Sequence, residues 1–349
     1  MGKFRKVHIE NFRGILRADV NGLEDVNLFF GKNNCGKSSM LEAMFLLTGQ
    51  SNPLLPVTVN QLRHYFSLSE QDLNLDFYNL QTSRKISISS EGDENRNLSI
   101  SVFKEHDVQL TMGNLTQGFN MASATYGLQM DFYRNGENVK YHSTLRLNAG
   151  DESNGKIEAD PSYQEAIVAQ YLPSSYMQIP FAQSFVKIVE NKQEKDIVAI
   201  LQNIEPRIRD VQLVGNSLLV DVGLQQRLPM NLMGDGLRKL MAIVLAIYAC
   251  KGGMLFIDEI DNGFHFSAMP YLWKAVLGTC EITNTQLFVS THNIDSLKGL
   301  VTCLKDASMP TTSTVAAFKL IKKDSDEVEA VKYDISQLSY AIEQEMEVR

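Results

Sequence analysis

The sequence predicts an α/β fold in which a core of alternating strands and helices carries an antiparallel β lobe with an inserted segment. Three observations predict it. An apolar strand over 26–30 leads through a glycine-rich loop into an apolar helix that begins near Lys37. A continuously apolar strand over 254–257 follows a long apolar helix, as in a buried sheet. Between these parts, polar and apolar residues alternate, which is typical of antiparallel strands.

The N-terminal half is predicted to consist mainly of strands. They are expected over 7–12, 15–20, 26–30, 85–89 and 98–102. Asn135-Gly136 lies between 128–134 and 139–147 and predicts a hairpin turn. Polar stretches at 91–97 and 148–156 predict exposed loops.

The C-terminal half returns to helices and strands in alternation. A helix is expected over 181–204, closed by Pro206, and a buried one over 237–250. A further helix over 267–280 is expected to have Ser267 as its N-cap and Pro270 in its first turn. The strand over 286–290 and a hairpin of 318–322 with 328–333 complete the pattern. We therefore divide the chain into 1–50 (first part of the core), 51–170 (β-rich arm and insertion) and 171–349 (second part of the core).

Composition excludes several classes of protein. The 349 residues carry a net charge of −8, 44% of them are hydrophobic, and no apolar run approaches the ~20 residues that span a membrane. The four cysteines form no CxxC pair, so neither a zinc site nor a disulfide framework is indicated. The chain is predicted to be cytoplasmic. Its acidic balance argues against coating nucleic acid by charge alone, although Lys3, Lys6 and Arg17 cluster near the N-terminus.

The glycine-rich loop fits the pattern GxxxxGK[ST] of a P-loop. Its backbone N–H groups and the following helix N-terminus suit phosphate oxygens. Lys37 is expected to reach the β- and γ-phosphates and Ser38 to ligate Mg²⁺, which predicts ATP and Mg²⁺ as cofactors. The nucleotide-binding set in this loop is Gly31, Asn33, Asn34, Cys35, Gly36, Lys37, Ser38 and Ser39.

Two further motifs lie in the C-terminal half. Asp258 follows the apolar strand and is expected to hold Mg²⁺ through its water shell, while Glu259 is expected to orient or deprotonate the attacking water. Gly234, Asp235 and Gly236 lie where the long apolar helix begins and predict a second anion-binding site.

Taken together, these motifs resemble the ABC-type ATPases of the branch that contains RecF, SMC proteins and the OLD family. The resemblance covers 1–50 and about 170–349. It adds a strand motif before the P-loop, a D-loop and a switch histidine, namely Ile9 to Gly14, Ile260 to His265, and Ser290-Thr291-His292. The implied fold is a P-loop NTPase of the ABC-ATPase type.

The resemblance implies roles for residues that the motifs alone do not assign. Gly234 to Gly236 would contact the γ-phosphate bound by another subunit, and Asp261 would lie at the dimer interface. His292 would touch the γ-phosphate or the attacking water and would share catalysis with Glu259 and Lys37. Arg13 would contact phosphate near the P-loop. These roles imply a homodimer or higher homo-oligomer assembled through ATP.

Two other functions fit the residues less well. Asn191 to Glu194 nearly matches a guanine-recognition motif but falls in a predicted helix, and fewer residues follow His292 than a Toprim nuclease domain needs. We expect a stand-alone OLD-like ATPase that regulates or senses for a separate protein effector, such as a nuclease, in bacterial antiviral defence. The alternative is a DNA-binding mechanical ATPase of the RecF/SMC-like type in DNA repair, with nucleic acid as its partner.

Overall fold

The computed structural model describes residues 3–106, 124–133, 139–148, 151–174, 181–306 and 312–344. Within these ranges no helix is long and apolar enough to cross a membrane. The helices are α1 (Lys37–Thr48), α2 (Leu55–Leu62), α3 (Phe181–Glu190), α4 (Glu194–Gln202), α5 (Asp235–Ala249), α6 (Met269–Thr283), α7 (Ile294–Lys305) and α8 (Ile335–Glu343).

The strands follow in chain order. They are β1 (Phe4–Phe12), β2 (Ile15–Asn21), β3 (Val26–Phe30), β4 (Ile86–Gly92), β5 (Arg96–His106), β6 (Ala124–Tyr133), β7 (Lys140–Asn148), β8 (Asp151–Ala159), β9 (Ala169–Leu172), β10 (Asp210–Val214), β11 (Ser217–Asp221), β12 (Leu228–Pro229), β13 (Met254–Ile257), β14 (Gln286–Thr291), β15 (Val315–Lys322) and β16 (Glu327–Tyr333).

Thirteen of these strands form one mixed sheet. Its order is β8-β7-β6-β5-β4-β1-β2-β16-β15-β3-β14-β13-β9. The pairs from β15 to β9 are parallel, whereas β4 to β8 pair antiparallel. The predicted α/β fold with an antiparallel β lobe is thus confirmed.

The central parallel strands β3, β13 and β14 are buried on both faces. Along β3, the side chains of Val26, Leu28 and Phe30 join one apolar cluster with α3 to α8, and Phe29 joins a second cluster with α1 and the β lobe. Burial on both faces explains why these three strands are mostly apolar instead of alternating. The same burial holds the strand ends, and the residues that follow them, in fixed positions.

The β lobe differs from expectation at its edge. The antiparallel pairing of β6 with β7 confirms the predicted hairpin, whose turn at Asn135-Gly136 lies outside the described residues. The predicted loop over 148–156 is wrong, because Asp151–Ala159 is the edge strand β8. Residues 155–159 are exposed, so a polar sequence is compatible with a strand there.

Two helix predictions also need correction. The helix expected over 181–204 is interrupted at 191–193, where Lys192 has a φ of 57°, and becomes α3 and α4. Ser267 does not cap α6, since a 3₁₀ turn over Phe266–Ala268 precedes it, although Pro270 lies in the first turn as expected.

Candidate functional site

The glycine-rich loop lies at the carboxyl end of β3, where β13 and β14 also end. Phe30 pairs with Thr291, and Val289 pairs with Ile257. The residues that follow these three parallel strands therefore emerge at one edge of the sheet. Open α/β sheets bind ligands outside the carboxyl ends of their strands.

The backbone of the loop requires its glycines. Gly31 has a φ of 147°, and a Cβ there would lie 2.7 Å from the carbonyl oxygen of Leu320, so a side chain would collide with backbone. Gly36 has a φ of 97° and directly precedes α1. Asn34 also has a positive φ, 63°, which asparagine tolerates better than most residues. The loop thus curls around the helix N-terminus as a phosphate-binding loop must.

Lys37 is held across this loop. Its Nζ donates to the carbonyl oxygens of Gly31 and Lys32, both at 2.9 Å, and the residue is 8% exposed. The buried Cys35 lies beneath, with its Sγ 4.0 Å from the same ammonium. Burial raises the pKa of Cys35, so its thiol stays protonated.

A cleft of about 390 Å³ opens at this edge of the sheet. It brings together side chains from both halves of the chain. Its lining consists of Asn33, Asn34, Gly36, Lys37, Ser38, Ser39, Arg63, Asp258, Glu259 and His292. Nine of these ten were predicted from the sequence as site residues. Gly31, Cys35, Arg13, Gly234, Asp235, Gly236 and Asp261 do not line it.

Ser290 organises the two carboxylates after β13. Its Oγ donates to Asp258 Oδ1 and accepts the backbone N–H of Glu259 at 2.9 Å. Glu259 has a φ of 54°, a conformation that costs a non-glycine residue energy and that clusters at functional sites. Glu259 lines the cleft together with Asp258.

His292 faces the second carboxylate. Its Nδ1 lies 3.3 Å from Glu259 Oε1, and both side chains are partly exposed to the cleft. A carboxylate beside an imidazole can hold a water molecule and share its proton. The geometry brings together the three residues predicted to take part in catalysis, Lys37, Glu259 and His292.

Asp261 is buried within its own protomer. Its Oδ1 accepts a hydrogen bond from Thr291 Oγ1 at 2.5 Å, and the residue is only 4% exposed. Its position at a dimer interface, which the resemblance implied, stays a prediction. The neighbouring Asn262 and Gly263 are exposed and occupy the surface of this loop.

Arg63 is the cleft residue that the sequence did not reveal. It ends α2, and its Nε and Nη2 donate to the two carboxylate oxygens of Glu42 at 2.7 and 2.9 Å. Burial acts to lower the pKa of Arg63, but the bonds and charge of Glu42 outweigh it and leave that pKa raised. The signal that could have found this residue is Glu42 itself, a carboxylate in the middle of the apolar helix α1, since buried carboxylates need cationic partners.

Arg13 belongs to the other side of Glu42. Its guanidinium contacts Glu42 Oε2 at 2.5 Å, Asn60 Oδ1 at 2.6 Å and Asp76 Oδ1 at 3.1 Å, and its side chain is 9% exposed. Burial raises the pKa of Asp76 to about 6 against the opposing charge of Arg13. A buried network thus satisfies the Arg13 guanidinium within the protein, and the phosphate contact expected of Arg13 stays a prediction.

The second glycine motif lies apart from the cleft. Gly234 precedes α5, and Asp235 begins it and pairs with Arg238. Gly234 and Asp235 are exposed, and a Cβ at Gly234 would meet nothing within 4 Å. Leu232, just before the loop, is 73% exposed. The helix N-terminus is consequently open to a ligand or a second molecule rather than to the cleft of its own chain.

The residues present suit Mg²⁺ with a bound triphosphate. Ser38 and Asp258 line the same cleft and supply a hydroxyl and a carboxylate oxygen. In the described part of the chain no cluster of three or more His, Cys, Asp or Glu side chains could form a protein-only metal site. Mg²⁺ typically takes one or two protein oxygens and completes its shell with phosphates and water, so this donor set fits it.

Two family models match the chain. The model described as "AAA ATPase domain" matches residues 3–171, and that described as "AAA domain, putative AbiEii toxin, Type IV TA system" matches residues 158–297. An "ATP/GTP phosphatase" of Helicobacter pylori is 26% identical over 318 residues, which cover 83% of this chain and 85% of that protein.

Two further similarities are to RecF and to an SMC head. The DNA replication and repair protein RecF of Acinetobacter baylyi is 35% identical over 68 residues, 19% of this chain and 18% of RecF. A crystal structure of an SMC head bound to the C-terminal winged-helix domain of ScpA superposes with a TM-score of 0.51 at 9% identity, covering 95% of this chain and 98% of that one. That similarity concerns the fold.

The cleft, the family models and the shared fold agree on one class. Each family model matches less than half of the chain, and the superposition shows a fold like that of an SMC head. The chain is therefore similar to P-loop ATPases of the ABC and SMC-head type. Its assignment to that class, the narrower assignment to the OLD branch and the residue roles are proposals.

Proposed function

We propose that this chain is an OLD-like ATPase that binds MgATP in the cleft and hydrolyses it to ADP and phosphate. One observation carries the proposal. Lys37 and Ser38 from the N-terminal half converge with Asp258, Glu259 and His292 from the C-terminal half on one cleft at the strand ends. Phosphoryl transfer needs mainly positioning and charge stabilisation, and this set supplies both.

Each side chain has a distinct task in the proposed reaction. Lys37 leaves the carbonyls of Gly31 and Lys32 to bind the β- and γ-phosphates. Bound Mg²⁺, held by Ser38 and Asp258, would neutralise charge on the phosphates. Glu259 orients the attacking water and accepts its proton, and the nearby imidazole of His292 fixes that carboxylate.

We further propose that two copies close around ATP. The exposed loop Gly234 to Gly236 at the start of α5 does not line its own cleft, and it offers backbone N–H groups and a helix dipole to an anion. A second copy facing the cleft would place this loop against the γ-phosphate. Exposed Leu232 and Phe266, at 73% and 62%, would be covered in such a dimer.

The biological role proposed is control of a separate protein effector, such as a nuclease, in bacterial antiviral defence. The family description that names a putative AbiEii toxin and a type IV TA system supports a defence role. Residues 51–170 are proposed as the partner surface, because the cleft draws only Arg63 from that segment. The ATP-linked dimer would present two such surfaces, so nucleotide state could control partner release.

Direct DNA engagement is the alternative, and the short match to RecF favours it. The charges of the described surface oppose it. Lys3 pairs with Asp25 and Lys6 with Glu91, both at 2.8 Å, and Arg17 pairs with Asp19 at 3.2 Å. Basic residues that are already neutralised by carboxylates release few counterions from DNA, so they add little affinity.

Nucleotide titration tests the proposed site. Lys37→Ala should abolish measurable ATP binding and leave the melting temperature unchanged, because the ammonium contacts only backbone carbonyls and a thiol in its own loop. Unchanged affinity would refute the site. The partner is tested by a pull-down from the native host beside duplex-DNA binding with ATP at about 50 and 200 mM salt. Tight, salt-sensitive DNA binding with no co-purifying protein would favour the alternative.

A further inference from the structure

Lys239 is a buried lysine that does not line the ATP cleft and has no role in the proposed reaction. It lies in the first turns of α5, just after the loop Gly234 to Gly236, and is 7% exposed. Its Nζ donates to the backbone carbonyl oxygen of Asn262 at 2.5 Å. Burial lowers the pKa of Lys239, while the charges of Asp235 and Asp261 act in the opposite direction. Burying an ammonium is costly, so its retention calls for a reason.

Lys239 contacts the segment Asp261 to Gly263, the acidic loop, and this loop fits closely around the lysine. Gly263 has a φ of 79°, and a Cβ there would lie 2.5 Å from Lys239 Nζ and 3.1 Å from its Cε. A side chain at this position would displace the ammonium and strain the backbone. The acidic loop and α5 therefore fit each other through a lysine and a glycine.

A second anchor holds the other end of the acidic loop. Thr291 Oγ1 donates to Asp261 Oδ1 at 2.5 Å and accepts the N–H of Asn293 at 3.0 Å. Thr291 lies between Ser290, which bonds Asp258, and His292, which faces Glu259. Three consecutive residues at the end of β14 thus hold the two cleft carboxylates on one side and the acidic loop on the other.

We propose that Lys239 is a positioning residue that ties the acidic loop to α5, so that the cleft carboxylates and the loop Gly234 to Gly236 move as one unit. The connection runs from Glu259 and His292 through Thr291 and Asp261 to Lys239 and the start of α5. It rests on the proposed function, because Gly234 to Gly236 would serve the nucleotide of a second copy. The state of one cleft is thereby transmitted to the other. Packed, hydrogen-bonded chains of this kind can carry coupling between sites.

Hydrogen exchange without nucleotide tests the anchor itself. The N–H groups of Asn262 and Phe264 bond to the carbonyls of Glu259 and Asp261, at 3.0 and 3.1 Å, and report on the acidic loop. Lys239→Met keeps the aliphatic chain and removes the ammonium. It should speed exchange at both amides by at least about tenfold, since a bond from a charged donor is lost. Lys187→Met, on the exposed face of α3, is the matched control and should change neither amide.

Hydrolysis tests the coupling. Lys239→Met should keep ATP affinity within about twofold and lower kcat by about tenfold or more, the pattern of a lost transition-state arrangement. Thr291→Val should do the same by freeing the other anchor, whereas Thr291→Ser keeps the hydroxyl and should resemble the wild type. The double variant should lose no more than the worse single variant, because both release one loop.

The outcomes separate this inference from the proposed function. Unchanged exchange at Asn262 and Phe264 in Lys239→Met would overturn the anchor, and additive losses in the double variant would overturn the coupling. Should Lys239→Met fail to fold, the comparison of Thr291→Val with Thr291→Ser decides the same question at the other anchor. A wild-type chain without ATPase activity would contradict the proposed function. The hydrogen-exchange result would remain an independent test of the anchor.

Discussion

Replacing Arg63 with alanine is the perturbation that most directly tests how the cleft works. Arg63 is the cleft's second cation beside Lys37, and Glu42 holds its Nε and Nη2. Among the described residues Nη1 has no acceptor, which leaves one donor pair for a phosphate. The side chain is 47% exposed, so it can adjust to a ligand, and its two bonds to Glu42 already restrict its conformation. We expect this guanidinium to stabilise charge on the transferred phosphoryl group.

The size of the effect follows from what is removed. Losing one preorganised donor from a transition-state site costs about 10²–10³ in kcat. Arg63 is half exposed and already shared with Glu42, so we expect the lower end, about 100-fold. The fold should survive, because Glu42 keeps its 2.5 Å contact with Arg13. ATP affinity should fall only a few-fold, since Lys37 and the loop N–H groups remain.

Phosphate release at saturating ATP, measured beside nucleotide titration and thermal unfolding, separates these effects. Arg63→Lys should be intermediate, because an ammonium keeps the charge but cannot make the paired bonds to Glu42. Arg207→Ala is the matched control, an arginine whose side chain is 74% exposed, paired with Glu205 and outside the cleft. If Arg63→Ala hydrolyses ATP at nearly the wild-type rate, Arg63 merely pairs with Glu42 and the reasoning fails.

Two other perturbations probe the same region. Glu259→Gln should slow hydrolysis by at least ~100-fold while ATP stays bound. Size-exclusion chromatography of this variant in ATP should show a dimer, and adding Gly234→Arg should remove it. A monomer at saturating ATP would contradict the proposed dimer. Arg13→Ala should cost about 3–5 kcal/mol of unfolding free energy in urea, because it strips partners from Glu42 and Asp76, whose side chains are 3% and 4% exposed. The control Arg5→Ala removes a half-exposed pair with Glu24 at 3.8 Å and should cost less than ~1 kcal/mol.

Local patterns predicted most of the fold because burial on two faces leaves continuous apolar runs in the sequence. The apolar runs of β3, β13 and β14 matched the predicted strands to within one residue. The errors occurred where burial is weak. The edge strand β8 is exposed over 155–159 and reads as a polar loop. The break between α3 and α4 depends on a positive φ at Lys192, which no periodicity records.

The residues of the candidate site likewise divide into those that the sequence predicted and those that it did not. Lys37, Ser38, Asp258 and Glu259 were predictable because each stands in a short motif beside a strand end. Arg63 was not, because its position in the cleft depends on α2 packing near α1, and nothing around it in sequence forms a motif. The partners of Thr291 and Lys239 are likewise brought together from distant segments by the sheet order and by α5.

We propose that the charges of the cleft make one protomer alone a weak ATP site. Its charged side chains are two cations, Lys37 and Arg63, and two carboxylates, Asp258 and Glu259, which balance. Arg13, which the sequence suggested as a third cation, forms ion pairs with Glu42 and Asp76. A triphosphate must therefore draw its stabilisation from backbone N–H groups, the α1 dipole and Mg²⁺. The N-terminus of α5, which does not line the cleft of its own chain, is proposed to supply a further anion site. Because the charged side chains of the cleft sum to zero, the proposed closure of a second copy would be favoured by ATP, and less by ADP, which has one phosphate fewer.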